Sequence, residues 1–398
     1  MPGTVCISCC DPRLFSRNTN EDVYAYYDSV VADPSLSQLL GIKCNPDGLL
    51  ADDHIRTFYK PVDHTLRDWM HTVVGGGVAN VECGRLLDVL LKRKISLVVI
   101  VSFMMEFVLP KAHGTVDPNW LSKKRLGKKR KALQSFSSNL LALVPILAMF
   151  LFKVCGEDES HPLYDHMRCF WNLFKLIGIL QLGPHRAMTY VDQLRDLIRE
   201  HADLFTKLYP GHVKPKFHHL FHVVDNMKFL HVLLSCFVTE RKHRATQRSA
   251  LFIFRSIERG VIRDMLSRQC EAISSESESI FSERYLVHPK RYCMAGAILY
   301  RAGAAVLPCG AIHAGDFTWL ADGQVVLVIA FWRAEDSTDI TAQVEPYDRL
   351  ADGVRGSMWV KGMGGVRFLD TTLFVSALTY ARLSHDRVMV IPPAISFL

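Results

Sequence analysis

Two apolar runs limit what this chain can fold into. "ISLVVIVSFMMEFVL" spans 95–109 and "LLALVPILAMFLF" spans 140–152. Each falls short of the roughly 20 residues a spanning helix needs. Glu106 closes the first run and Pro145 interrupts the second. Both are expected as helices inside a protein core, which a chain of 398 residues, 49% hydrophobic and 22% charged, is long enough to build. That length suits two or three domains.

Around these runs the pattern is helical as far as about position 212. "NTNEDVYAYYDSVVADP" has a cap-like Asn20 and stops at Asp33-Pro34. After the glycines at 75, 76 and 77, the residues Val78, Val81, Leu86, Leu87 and Leu90 fall at helical spacing. "AMTYVDQLRDLIREHADLFTKLYP" is an amphipathic helix ended by Pro210-Gly211. Between the apolar runs lies "KKRLGKKRK", 123–131, in which seven of nine residues are cations. It reads as a solvated loop, or as a nuclear-import or phosphate-contacting patch. After about 290 apolar and polar residues alternate around a hairpin signal at Asp322-Gly323. The expectation there is five or six antiparallel strands closed into a small SH3- or Tudor-like β-barrel. The serine- and glutamate-rich 274–284 precedes it.

Eleven scattered cysteines and a start without a basic, apolar signal segment fit a reduced intracellular compartment. Cys6 and Cys9 form a CxxC, but no second pair follows at zinc-ribbon spacing. The net charge of +7 permits a nucleic-acid partner without demanding one.

The stretch "KPKFHHLFHVVDNMKFLHVLLSCFVTERKHR" (214–244) concentrates the chemistry. His218 and His222 lie four apart on one helix face, as in a zinc protease motif. His219 stands where that motif needs its glutamate base, so the motif lacks its general base and does not support a protease. A structural zinc site with a distant cysteine has no spacing support, and an amphipathic helix with inert histidines is the plain alternative. Glu240 sits just before Arg241, Lys242, His243 and Arg244. An acid at a basic groove suits metal-assisted phosphodiester chemistry, with carboxylates on the metal and cations on phosphates. A second acid is then required, and "RDWMH" offers Asp68.

Together, "PVDHTLRDWMH" and "KPKFHHLFH…FVTERKHR" resemble the two later acidic motifs of CACTA-type and related DDE/D transposases. The resemblance covers about 55–250. It implies an α+β fold in which a partial ribonuclease-H-like core carries a large all-helical insertion, with the β-barrel following. The implied divisions are 1–91 and 213–289 for the two parts of the core, 92–212 for the insertion and 290–398 for the barrel. The resemblance makes Asp68 and Glu240 catalytic ligands of Mg²⁺ or Mn²⁺. It makes His71, His243, Lys216, His218 and His222 supporting or phosphate contacts. Lys214, Lys216, Arg241, Lys242 and Arg244 would touch duplex DNA without sequence preference. The family's first aspartate should lie on a core strand upstream of Asp68. Asp11, Asp22, Asp28, Asp33, Asp52 and Asp53 are read in turns or helices, so the expectation is a transposon-derived chain, cut short, with weakly held metal and little activity. Its expected place is the nucleus, with no membrane, no small-molecule substrate, and self-association as an option. The rival reading is a non-catalytic nucleic-acid or protein binder using the basic helices and the β-domain.

Overall fold

The computed structural model describes residues 9–11, 16–17, 20–36, 51–122, 125, 132–236, 262–263, 266–267, 284–294, 297–353 and 356–393. The fold is mixed α+β, a helical body followed by a large antiparallel sheet.

A short hairpin, β1 (Cys9–Asp11) with β2 (Ser16–Arg17), precedes α1 (Asn20–Ala32). Asp11 therefore stands on a strand and not in the turn or helix expected of it. The short helices α2 (Asp53–Arg56) and α3 (Pro61–His64) follow, Asp52 capping the first through the N–H groups of His54 and Ile55. A five-residue π-helical turn, Met70–Val74, leads into α4 (Val78–Lys92), on which Val78, Val81, Leu86, Leu87 and Leu90 are all buried.

The first apolar run splits. Its front half forms α5 (Leu97–Met104), capped by Ser96 and burying Ile100, Phe103 and Met104 while Val98 stays 73% exposed. Its tail departs from the helical expectation, because Phe107–Val108 is a strand, β3. The second run lies in α6 (Ser137–Cys155), whose 19 residues are long and apolar enough to cross a membrane by length and composition alone. A 56% buried window and packing against α4, α5 and the π-helical turn mark it as a core helix. Then come α7 (Tyr164–Leu180), α8 (Val191–Leu208) and α9 (Pro215–Leu230), each packed on the one before it or on α6. Gly211, at φ +75°, turns the chain between the last two, a left-handed conformation that glycine adopts without cost.

From 284 onward the chain is strand. In order these are β4 (Tyr285–Leu286), β5 (Lys290–Met294), β6 (Ala297–Ala302), β7 (Ala304–Leu307), β8 (Gly310–His313) and β9 (Phe317–Leu320). After them come β10 (Val325–Ala334), β11 (Thr341–Gly353), β12 (Gly356–Lys361), β13 (Arg367–Asp370), β14 (Phe374–Ala377), β15 (Tyr380–Arg382) and β16 (Arg387–Val390). Asp322-Gly323 makes the expected hairpin between β9 and β10, with Gly323 at φ +83°.

The long pair β10–β11 is the frame. Its two halves take different neighbours: β9 and β12 at the end near Val325 and Tyr347, β6 and β13 at the end near Trp332 and Thr341. Alternation buries both faces. Val326, Val328, Ala342 and Val344 enter one core with Leu286, Ile312 and Phe331; Val325 and Tyr347 enter another with Phe317, Trp359 and Val390. There are more strands than the five or six read from the sequence. Among the described residues they form an open path and a separate β4–β7–β8 sheet, and no closed barrel is present.

Sheet and helices are one continuous structure. β3 pairs with β15 through Tyr380↔Val108 and Ala381↔Phe107, and Ala381 and Ile391 enter the helical core. Beside that seam Asp316, 2% exposed, accepts hydrogen bonds from the backbone N–H of Lys111 (2.9 Å) and of His313 (2.8 Å). The Lys111 ammonium also donates to the Ala314 carbonyl.

Two outcomes are expected. Asp316→Ala leaves two N–H groups without their acceptor and should cost about 1–3 kcal/mol for each that stays dry, read from denaturant midpoints. Burial pushes the thiols of Cys155 and Cys309 up to about 11 from 9.0. The folded chain keeps protons there that the unfolded chain loses. Stability present below pH 9.0 should therefore decline as pH rises towards 11, and Cys155→Ala should flatten that decline in pH-dependent melts.

Candidate functional site

Asp68 begins the π-helical turn. Its carbonyl accepts from the N–H of Thr72 (3.3 Å) and the Thr72 hydroxyl (2.8 Å), and its carboxylate Oδ1 accepts the N–H of His71 (3.2 Å). The His71 ring closes back, with Nδ1 at 2.7 Å from Asp68 Oδ2. The turn ends with Gly75 N–H on the Met70 carbonyl, the i to i−5 bond of a π-turn. Here glycine is obligatory. Gly76 is at φ +65°, and a Cβ on Gly77 would lie 2.2 Å from the Thr72 carbonyl oxygen.

This turn meets α9 and the chain that leaves it. Pro215 opens α9 at a position where its missing N–H costs nothing, and Phe217, Leu220, Val224 and Met227 bury a stripe on the helical core. On the other side Lys216 Nζ donates to the carbonyls of His71 and Gly75, both at 2.8 Å. Beyond α9 the N–H of Trp69 donates to the Leu234 carbonyl (3.3 Å), and the N–H of Cys236 donates to Asp68 Oδ1 (3.3 Å). Asp68, His71 and Cys236 thereby offer metal-ligating atoms within 4.8 Å of one another.

Lys216 is half-buried, and desolvation holds its ammonium below the usual lysine range, partly offset by the charge of Asp68. Its donors go to the protein's own carbonyls. Lys214, at the N-cap, is an exposed cation. The histidines of α9 form a relay. His218 and His222 touch through their Nε2 atoms at 2.9 Å, so one donates and the other accepts. His222 Nδ1 then lies 3.3 Å from Asp225 Oδ2, and Asp225 accepts from Arg195 at 2.7 Å.

The structure thus brings Asp68, His71 and Lys216 together, with His218 and His222 on the same helix as Lys216. Cys236 joins them without any sequence signal having pointed to it. Glu240, Arg241, Lys242, His243 and Arg244 lie outside the described residues, as does the basic run at 123–131 apart from Arg125. The donors beside Asp68 are nitrogen and sulfur, whereas Mg²⁺ takes oxygen. A magnesium site at Asp68 would need further oxygen ligands beyond these. Comparison with protein-family models, with curated proteins and with solved structures finds nothing that matches this chain.

Lys216→Met should loosen this arrangement by about 1.5–3 kcal/mol, the range for hydrogen bonds from a charged donor. Chemical denaturation measures it, and Lys214→Met, at an exposed position, should change the midpoint little.

Proposed function

We propose that the chain is a transposon-derived protein resembling a DDE-type transposase, whose ancestral chemistry is metal-dependent cleavage and transfer of DNA strands. One observation supports this reading most. The "RDWMH" turn and the chain leaving α9 lie side by side, joined by Trp69–Leu234 and Asp68–Cys236 hydrogen bonds across more than 160 residues of sequence. Glu240 follows Cys236 by four residues. In this reading the partial ribonuclease-H-like core is formed around that junction, and Asp68 and Glu240 hold a divalent ion between them. The cations at 241–244 and Lys214 lie against the phosphates of duplex DNA. Turnover is weak in this reading, because no upstream acid stands in the sequence as the family's first aspartate at the centre of an apolar strand; Asp28 pairs with Arg56, Asp33 with Ser35, and Asp52 caps a helix.

Duplex DNA should bind weakly and without sequence preference. The slope of log K against log salt should be about −0.9 for each phosphate contacted. Fluorescence anisotropy at two salt concentrations measures it; no binding at about 50 mM salt, where phosphate contacts are strong, overturns the DNA reading. Mn²⁺ binding followed by calorimetry should be lost in both Asp68→Asn and Glu240→Gln, and retention in either variant removes that residue from the site. Robust cleavage abolished by Glu240→Gln would show a complete acid set, with Asp11 on its strand the next residue to substitute.

A second reading, non-catalytic binding, has its own observation. The register of β5, β6 and β10 sets Lys290, Arg301 and Trp332 in one row, with Tyr292 on the same face. Arg301 lies over the Trp332 ring at 5.4 Å, and the Tyr292 ring is 5.9 Å from it. Interleaved cations and rings suit single-stranded nucleic acid, whose bases stack while its phosphates pair. Binding lost in Arg301→Ala with Trp332→Ala, and kept when 241–244 are neutralised, would favour it.

A further inference from the structure

Glu82 on α4, Cys169 on α7 and His201 on α8 meet in the middle of the helical body. Their exposures are 1%, 0% and 0%, and their metal-ligating atoms lie within 4.8 Å of one another. Glu82 Oε2 is 2.5 Å from His201 Nε2. Glu82 Oε1 and His201 Nδ1 have no hydrogen-bond partner. The surroundings are aromatic, with the His201 ring parallel to Phe217 at 6.1 Å and 6.1 Å from Phe205.

A proton shared between Glu82 and His201 would neutralise the pair. It would still leave Oε1 bare in an apolar core, where an unsatisfied oxygen is costly, and would leave the thiol only a long contact, 3.9 Å, to the His201 carbonyl. A divalent ion accounts for more. With one carboxylate, one thiolate and one neutral imidazole, a dication makes a site of zero net charge, the condition under which burial is cheapest. Nitrogen, sulfur and oxygen donors in one set suit zinc, and a thiolate disfavours magnesium and calcium.

We infer that Glu82, Cys169 and His201 form a buried zinc site that fastens α4, α7 and α8 together. Ligand distances of about 2.0–2.3 Å require the Glu82–His201 contact to open by roughly 1 Å, within reach of side-chain rotation. On binding, the Cys169 thiol proton and the shared Glu82–His201 proton are released to solvent, leaving thiolate, carboxylate and neutral imidazole as ligands, and a water completes the tetrahedron. His166, one turn before Cys169, and Tyr209 supply a polar margin for that water, with His166 Nδ1 2.9 Å from the Tyr209 hydroxyl. The site is separate from the Asp68 turn and stands whether or not the chain ever cut DNA.

The test uses the full chain carrying Cys6→Ser, Cys9→Ser and Asp68→Asn, which removes other zinc donors, purified under reducing conditions without chelator. Elemental analysis should find about one zinc per chain, the stoichiometry of a single site, and this zinc should be lost in Cys169→Ser, which leaves the His71, Cys236, His218 and His222 donors in place. A strong chelator should lower the melting temperature, and zinc should restore it. Cobalt substitution should give a thiolate-to-cobalt charge-transfer band that Cys169→Ser abolishes, with zinc affinity falling at least about tenfold in Glu82→Gln and His201→Gln. A folded chain without zinc, whose melting temperature ignores both zinc and chelator, overturns the inference. So does a cobalt band that survives Cys169→Ser. Should the variants fail to fold, the zinc content and chelator response of the background chain decide.

Discussion

The helical body is governed by α7, which is buried on nearly every side. Met167, Cys169, Phe170, Leu173, Phe174, Leu176, Ile177 and Leu180 are all interior, and so is polar Asn172. A helix of that kind is stable only when other helices surround it, and α4, α6 and α8 do so. The requirement reaches outward. α6 is long and apolar because it lies against this centre, and α8 is amphipathic because it lies at the margin. Polar groups carried into the interior must be answered there. Asn80 shows how. Its side chain accepts the Gly77 N–H, donates to the Leu133 carbonyl, and so ties the start of α4 to the chain before α6. Glu82 sits two residues further on, still deeper, and is answered by a single histidine.

The sheet solves the same problem differently. Both faces of β10–β11 are apolar, so each needs a cover, and one flat layer supplies only one. Register shifts after Val328 and after Arg349 let the pair bend and hand its two halves to different strands. One edge, β15, is taken by Phe107–Val108 from the helical body. This pairing removes an open edge and makes the seam that Asp316 then locks.

These features differ in how far the sequence announces them. The helices α1, α4 and α8 follow from periodicity, and the β9–β10 turn from Asp322-Gly323, because all of that information is local. β3 is invisible locally. Two residues in an apolar run become a strand because Tyr380 and Ala381, some 270 positions later, present an edge to them. Strand number is undercounted after 290 because short strands such as Tyr380–Arg382 draw their order from neighbours. Asp68 and Lys216 were singled out through the resemblance of their motifs, but the hydrogen bonds Lys216 makes were not legible, since its carbonyl partners come from a turn whose π geometry no propensity encodes. Cys236 contributes through its backbone N–H, and a backbone donor leaves no mark in the choice of residue. Glu82, Cys169 and His201 lie on three separate helices, so no spacing rule could join them.

Asp68 is where structural and chemical demands meet. Its Oδ1 accepts from His71 and Cys236 and its Oδ2 faces the His71 ring, so the carboxylate is already bound to both segments it would need to join across a metal. These bonds fix the orientation of the group, which is what hydrogen-bonding partners do for ligands in metal sites. The same geometry serves a purely structural clamp. The two roles separate on charge: an asparagine keeps an oxygen for the backbone N–H groups of His71 and Cys236 but cannot balance a cation. Asp68→Asn should therefore leave a purely structural clamp nearly as stable as the original, and only a loss of divalent-cation binding at unchanged stability would assign the carboxylate to a metal.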